Sequence, residues 1–236
     1  MVSSNLQKVG EHMKAFLNIK AYFVPDRKNI FLPICKGKRV LHVGCGPPII
    51  PWFFDEIAGI AKVAKEKEYI GLDIRNNIVE KLQALGFNAI CADAEKVDLE
   101  RKFDVIMAMP LEHVSNQGIF LENMKKHLEN DGIMIVSVPQ MSCLKYMLWQ
   151  LLGKFKKCET CVSCGRCLQI DPDHVLWHSE ETLIAILERH GWKAKEIYYS
   201  FLKPRSRWKN ILASAASHFI PPRLIGTIIV AVLEKI

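Results

Sequence analysis

Between residues 39 and 139 the chain repeats one rhythm: a short apolar run, a stop at glycine, aspartate or proline, then a stretch with helical period. The runs are Arg39–Val43, Tyr69–Leu72, Asn88–Cys91, Phe103–Ala108 and Ile133–Val138. They stop at Gly44-Cys45-Gly46, Asp73, Asp93, Met109-Pro110 and Pro139 in turn. None alternates apolar with polar residues, so each reads as a strand covered on both faces. Helices are predicted over Pro51–Lys65, after Asn76 (Ile78, Val79, Leu82 and Leu85 on one side, Gly86 at the end), and over Ile119–Leu128. Strands and helices alternating at this spacing dictate βαβ units and a parallel sheet.

The flanks complete this plan. Leu6, Val9, Met13, Phe16 and Leu17 form a stripe over residues 5–23 that Pro25 ends, giving an N-terminal helical cap within residues 1–34. Residues 140–178 break the rhythm with an apolar helix (Leu144, Met147, Leu148, Leu151, Leu152), a lysine run and a dense set of cysteines, and read as a lid-like insertion. Ser179 then caps a helix carrying Leu183, Ile186 and Leu187, and Gly191 ends it. Lys195–Phe201 and Thr227–Leu233 supply two further strands. The expectation is a single α/β domain over residues 1–236: a Rossmann-like, seven-stranded, mostly parallel sheet with helices on both faces and a cysteine-rich insertion after strand five.

Open parallel sheets bind ligands at the carboxyl ends of their strands. Three such ends here carry usable groups. Gly44 and Gly46 permit a sharp turn and close backbone approach. Asp73 can accept from both hydroxyls of a ribose, and Asp93 from an adenine amino group. A nicotinamide dinucleotide would want a third glycine and free N–H groups at the helix start, whereas Gly46 is followed by Pro47-Pro48. A phosphate-free adenosine cofactor suits this loop better.

Five ordered motifs carry a resemblance. Val40-Leu41-His42-Val43-Gly44-Cys45-Gly46-Pro47, Tyr69-Ile70-Gly71-Leu72-Asp73 and Cys91-Ala92-Asp93-Ala94-Glu95 resemble the first three motifs of class I S-adenosylmethionine-dependent methyltransferases. Phe103-Asp104-Val105-Ile106 through Leu111-Glu112-His113-Val114, and Leu128-Glu129-Asn130-Asp131-Gly132 into Val136-Ser137-Val138-Pro139, are similar to the fourth- and fifth-strand motifs of the small-molecule branch. The likeness is close over about residues 35–140 and looser over 174–236. It implies S-adenosylmethionine as cofactor, with His42, Gly44, Cys45, Gly46, Asp73, Ile74, Asp93 and Ala94 around it. Gly44 and Gly46 would pass under the methionine moiety, Asp73 would hold the ribose, Asp93 the adenine end, and Ala94 would flank the ring. The chain departs from the family at His42, where an acid is usual, and at Pro48, where a third glycine is usual.

Methyl transfer is an in-line displacement that mostly needs alignment, and a base only when the acceptor must lose a proton. His113, after strand four, is the base candidate; lining the pocket or capping the next helix is the other reading of it. His174 and His178 come second. The acceptor reads as a small or lipid-like molecule. Ala108-Met109-Pro110-Leu111 stands where amino-methylating nucleic-acid enzymes carry Asn/Asp-Pro-Pro-aromatic, which disfavours nucleic acid.

Cys158, Cys161, Cys164 and Cys167 form an unbroken C-x2-C-x2-C-x2-C, read foremost as a structural zinc site; an iron–sulfur cluster is the lesser alternative, and free thiols or a disulfide complete the options. The net charge of +7 points to a basic surface with acids interleaved almost throughout. Trp149, Phe155 and the Lys154, Lys156, Lys157 group allow peripheral membrane contact. The start shows no leader pattern and no segment reaches bilayer length, so a cytoplasmic location is expected. A non-catalytic adaptor of the same fold, presenting a metal knuckle to nucleic acid or protein, is the alternative; His42, Pro48 and the basic Arg205–Lys209 stretch fit it.

Overall fold

A computed structural model describes residues 19–66, 68–140, 142–152, 176–201 and 206–236. In chain order the elements are β1 (Lys20–Asp26), α1 (Lys28–Cys35), β2 (Val40–Val43), α2 (Pro51–Val63), β3 (Tyr69–Asp73), α3 (Asn76–Ala84), β4 (Ala89–Cys91), β5 (Phe103–Ala108) and α4 (Gln117–His127). Then follow β6 (Leu128–Pro139), α5 (Leu144–Leu151), α6 (Glu180–Arg189), β7 (Trp192–Phe201), α7 (Arg207–Ala216), α8 (Pro222–Ile225) and β8 (Ile228–Lys235). They form one sheet ordered β1-β7-β8-β6-β5-β2-β3-β4. Every neighbouring pair is parallel except the two that β8 makes, with β6 and with β7.

The strands' apolar runs explain the two layers. Successive side chains point to opposite faces. Leu41, Val43, Ile106, Ala108, Met134 and Val136 face α4 and α6, whose Phe120, Met124, Leu183 and Leu187 close that core. Val40, Val105, Met107 and Ile135 face the other way, against Phe31 of α1, Ile57 and Ile60 of α2, and Val79 and Leu82 of α3. Ser179 caps α6 as expected: its Oγ accepts from Thr182 N–H at 3.2 Å, and Thr182 Oγ1 accepts from Ser179 N–H at 2.9 Å.

The N-terminal reading is corrected. Residues 20–26 are not the end of a helix; they form an edge strand that runs parallel to β7. Tyr22, Phe23 and Val24 are strand-prone, and the first two meet Tyr198 and Phe201 ring to ring, each at 5.5 Å between centroids. Pairing therefore overrides the helical period, the sheet has eight strands rather than seven, and among residues 19–34 the helix begins only at Lys28. Residues 5–18 lie outside the described residues. The helix expected after Asn76 begins at Asn76 itself, with Arg75 at the N-cap and the Asn76 amide donating to Glu80.

The strand order reverses at β2, which pairs with β3 on one side and β5 on the other. The carboxyl ends of β2, β3 and β5 therefore meet at the switch point, where a crevice is expected in such sheets.

Candidate functional site

β2 delivers the glycine turn to that point. Gly44 and Gly46 have φ of 66° and 80°. A Cβ on Gly44 would lie 2.9 Å from Pro110, and one on Gly46 would lie 3.1 Å from the Phe53 ring. The turn is thus closed to larger residues both by conformation and by space. Cys45 between them is buried, and burial, then Asp73, pushes its thiol up to about 12, so it is unreactive at neutral pH.

Asp73 ends β3 and is buried. Gly46 N–H donates to its Oδ2 at 3.3 Å, which joins the turn and the acid directly. Arg75 supplies three more donors: its backbone N–H (3.1 Å) and Nε (2.9 Å) to Oδ1, and Nη2 (3.1 Å) to Oδ2. Ile74 is exposed between them, and its carbonyl accepts from the Cys91 thiol at the end of β4, at 3.6 Å. Asp93 closes its own turn, accepting from Glu95 N–H at 3.0 Å and from Lys96 Nζ at 2.9 Å. Lys96 holds its carboxyl below the usual carboxylate range. Ala94 is packed in the core, with its carbonyl accepting from the Asn123 amide at 3.0 Å. The structure therefore joins Gly44–Gly46, Asp73 and Ile74 closely, while Asp93 is occupied by turn chemistry and a lysine.

His113 lies past the end of β5, partly exposed, with Nε2 4.0 Å from Glu112 Oε1. Its N–H donates to Pro110 O at 2.8 Å, closing a turn against the residue that abuts Gly44. His178 is buried nearby. The Gln117 amide donates to Leu111 O at 2.8 Å and lies 2.9 Å from His178 Nε2, tying the loop after β5 to the segment that enters α6. Burial lowers the His178 pKa. His174 and the four cysteines at 158, 161, 164 and 167 lie outside the described residues. Among the described residues no group of three or more His, Cys, Asp or Glu side chains could hold a metal ion.

Sequence reasoning missed two basic partners. One is Arg75. The other is Arg27, whose Nε and Nη2 meet Glu56 of α2 at 2.7 and 3.1 Å, with both side chains buried. Burial pushes the Glu56 carboxyl up despite Arg27. This pair sits behind His42, which shares the sheet face of Val40. His42 is buried, with Nδ1 3.0 Å from the Tyr69 hydroxyl. Burial first, then Arg27, brings its pKa down to about 3, with Asp73 pulling the other way. At neutral pH the position is therefore an uncharged hydrogen-bonding group, and the buried charges beside it are those of Arg27 and Glu56.

A pH dependence follows. The folded pKa of His42 lies below its ordinary 6.5, so the unfolded chain takes up the proton first. The His42 contribution is complete above about pH 6.5 and is lost as pH falls toward about 3. At 1.36 kcal/mol per unit, the loss at pH 5 is about 2 kcal/mol. Urea unfolding at pH 7.5 and 5 should show wild type losing about that much more than His42→Asn. Equal losses in the two proteins would refute a neutral buried His42.

Comparison with known proteins places this geometry in context. A family described as a methyltransferase domain matches residues 14–197. The ubiquinone biosynthesis O-methyltransferase of Rhodopseudomonas palustris is 28% identical over 146 residues, covering 56% of this chain and 52% of that protein. The protein of the same name from Bradyrhizobium diazoefficiens is 32% identical over 108 residues, covering 43% and 40%. The chain thus spans about half the length of these relatives, or less. Among solved structures, a SAM dependent methyltransferase from Archaeoglobus fulgidus superposes with a TM-score of 0.58 at 18% identity, covering 89% of this chain and 91% of that one. An S-adenosylmethionine dependent methyltransferase from Mesorhizobium loti gives 0.54 at 15% identity, covering 88% and 95%.

Proposed function

Because the chain belongs to the methyltransferase domain family, we propose that it transfers a methyl group from S-adenosylmethionine to a small or lipid-like acceptor. The observation that carries this reading is the glycine turn whose Gly46 N–H bonds the buried Asp73 carboxylate at the switch point. A diol-accepting acid beside a close-approach turn suits an adenosine, and Pro47-Pro48 denies a pyrophosphate its N–H groups. In this reading His42, Gly44, Cys45, Gly46, Asp73, Ile74, Asp93 and Ala94 surround the cofactor. The cofactor brings the activated methyl group. The chain's own task is to hold donor and acceptor in line and to take a proton from a hydroxyl acceptor at His113 Nε2. The name of the two relatives, O-methyltransferase, supports an oxygen acceptor. Calorimetry should show S-adenosylhomocysteine binding in preference to NAD, and labelled methyl groups should pass to a prenylated phenol. His113→Gln should then lower turnover about 10²–10⁴-fold with S-adenosylhomocysteine affinity unchanged, the range for a lost general base. Saturation with S-adenosylhomocysteine and no transfer to any hydroxyl acceptor would leave the fold assignment standing and sink the activity.

The rest of the reading concerns residues 140–178. They leave β6 at its carboxyl end, on the acceptor side, and we place a lid there. The four cysteines in regular spacing within it suit one tetrahedral zinc, and a cytoplasmic setting would keep them reduced. Elemental analysis of protein purified without chelator should find about one zinc per chain. Four freely titrating thiols with neither zinc nor iron would dismiss the site. The lipid-like acceptor also implies contact with a membrane surface. Among the described residues no helix is long and apolar enough to cross a membrane.

A further inference from the structure

The net charge of +7 is not spread over the chain. Between Asp131 and Glu159 there are four basic residues and no acid, and between Glu196 and Glu234 five basic residues and no acid. The remainder carries 25 acids against 23 lysines and arginines, so the two acid-free stretches account for the entire excess. The interleaving fails there, and the fold brings the described parts of both stretches, with Lys145, Arg207, Lys209 and Arg223, to one place. The first holds α5, the second α7 and α8. α5 packs on α8, α8 on β1 and β7, and α7 on β1. The Gln140 amide, just past β6, donates to the carbonyls of Arg223 and Gly226 at 2.6 Å each, binding α8 to the carboxyl end of β6. That is the sheet edge on which Gly44 and Asp73 lie.

These helices are inside out. In α7, Trp208, Ile211 and Leu212 recur at i, i+3, i+4 and all face solvent, while Ala213 is the one residue buried. Phe219, just beyond, is 90% exposed. No residue of α5 is buried, and its Leu148 and Leu151 are exposed. Arg207 and Lys209 flank the α7 stripe, Lys145 lies over the Tyr146 and Trp149 rings, and Arg223 starts α8. An outward apolar stripe with aromatic and basic flanks, on helices that carry no acid though Arg223 lies near Glu181 of α6, is what lies in the headgroup plane of a bilayer. Its positive charge fits an anionic leaflet. At eight and ten residues, α5 and α7 are too short to span one.

We propose that the α5–α7–α8 face docks the protein on an anionic lipid bilayer and sets the acceptor side of the sheet against it. The route it offers to a membrane-dissolved acceptor rests on the function proposed above; the docking itself does not. The test is co-sedimentation of the full chain with vesicles of phosphatidylcholine alone or with 40% phosphatidylglycerol, with and without high salt. Wild type should pellet at least tenfold more strongly with the anionic vesicles, and high salt should weaken this. Trp208→Glu/Leu212→Glu alters exposed positions only. It should lose that binding at least tenfold while S-adenosylhomocysteine binding is kept, which separates a failed docking face from a failed cofactor assignment. Wild type staying in the supernatant with both vesicles would overturn the proposal. So would a variant that pellets like wild type, or a wild-type dimer that the variant converts to monomer, since the face would then be a self-interface.

Discussion

Arg27→Met should destabilise the fold by about 3–5 kcal/mol, the scale for leaving one member of a buried ion pair uncompensated. Both side chains of the Arg27–Glu56 pair are shielded from water, and two guanidinium nitrogens reach the carboxylate. Removing Arg27 strands the buried Glu56 on α2, the helix whose Ile57 and Ile60 belong to the core. Its carboxyl, already pushed up by burial, would then have to take a proton or draw in water. Restoring an apolar pairing with Arg27→Met/Glu56→Leu should recover most of the loss, because well-packed apolar residues often replace a buried pair at no net cost. Guanidinium denaturation of wild type, single and double variants measures this. If the single variant does not fold, the double variant still reports. A single variant within about 1 kcal/mol of wild type would mean that the pair is solvated, as exposed pairs are.

The neighbourhood of this pair shows where sequence reading succeeds and where it stops. β5 was legible to the residue, because Phe103–Ala108 is an apolar run interrupted only by Asp104, between Lys102 and the Met109-Pro110 stop. The glycine turn was legible because only glycine meets its conformational demand, and the structure adds that Pro110 and Phe53 fill the space a side chain would need. Arg27, at the N-cap of α1, and Glu56, on α2, are 29 residues apart, so no local pattern links them; the pair exists only once α1 and α2 pack together. β1 was misread because Leu6–Leu17 set a helical period that was carried too far, while pairing with β7 decides its real state. α7 was missed because its stripe is short, Trp208, Ile211 and Leu212 alone, next to a stretch noted only as basic. Asp93 was given a ligand role from its place at a strand end. In the structure that carboxylate also serves its own turn, a use that strand-end aspartates share, and the ligand role is part of the proposal above.

Asp73→Ala should weaken S-adenosylhomocysteine binding by about 1.5–3 kcal/mol, roughly 10–150-fold, the scale of hydrogen bonds to a charged group. The carboxylate is the one acid at the switch point that is both buried and joined to the glycine turn. Its two oxygens accept four donors: the Gly46 and Arg75 N–H groups and two nitrogens of the Arg75 guanidinium. A ribose diol can enter only where the guanidinium yields, since the backbone donors belong to the turn and the start of α3. The Arg75 side chain is 44% exposed and can swing toward solvent, and the diol hydroxyls then replace its two guanidinium bonds to the carboxylate. The net gain from the diol should therefore survive this exchange, and Asp73→Ala should remove it. Asp73→Asn retains one oxygen for the Gly46 N–H and loses the charge, so it separates a collapsed turn from a lost ribose acceptor. Both variants weakened, with thermal stability of Asp73→Asn close to wild type, is the expected result. Unchanged affinity in Asp73→Ala would remove Asp73 from the cofactor site and leave it as the anchor of the Arg75 turn.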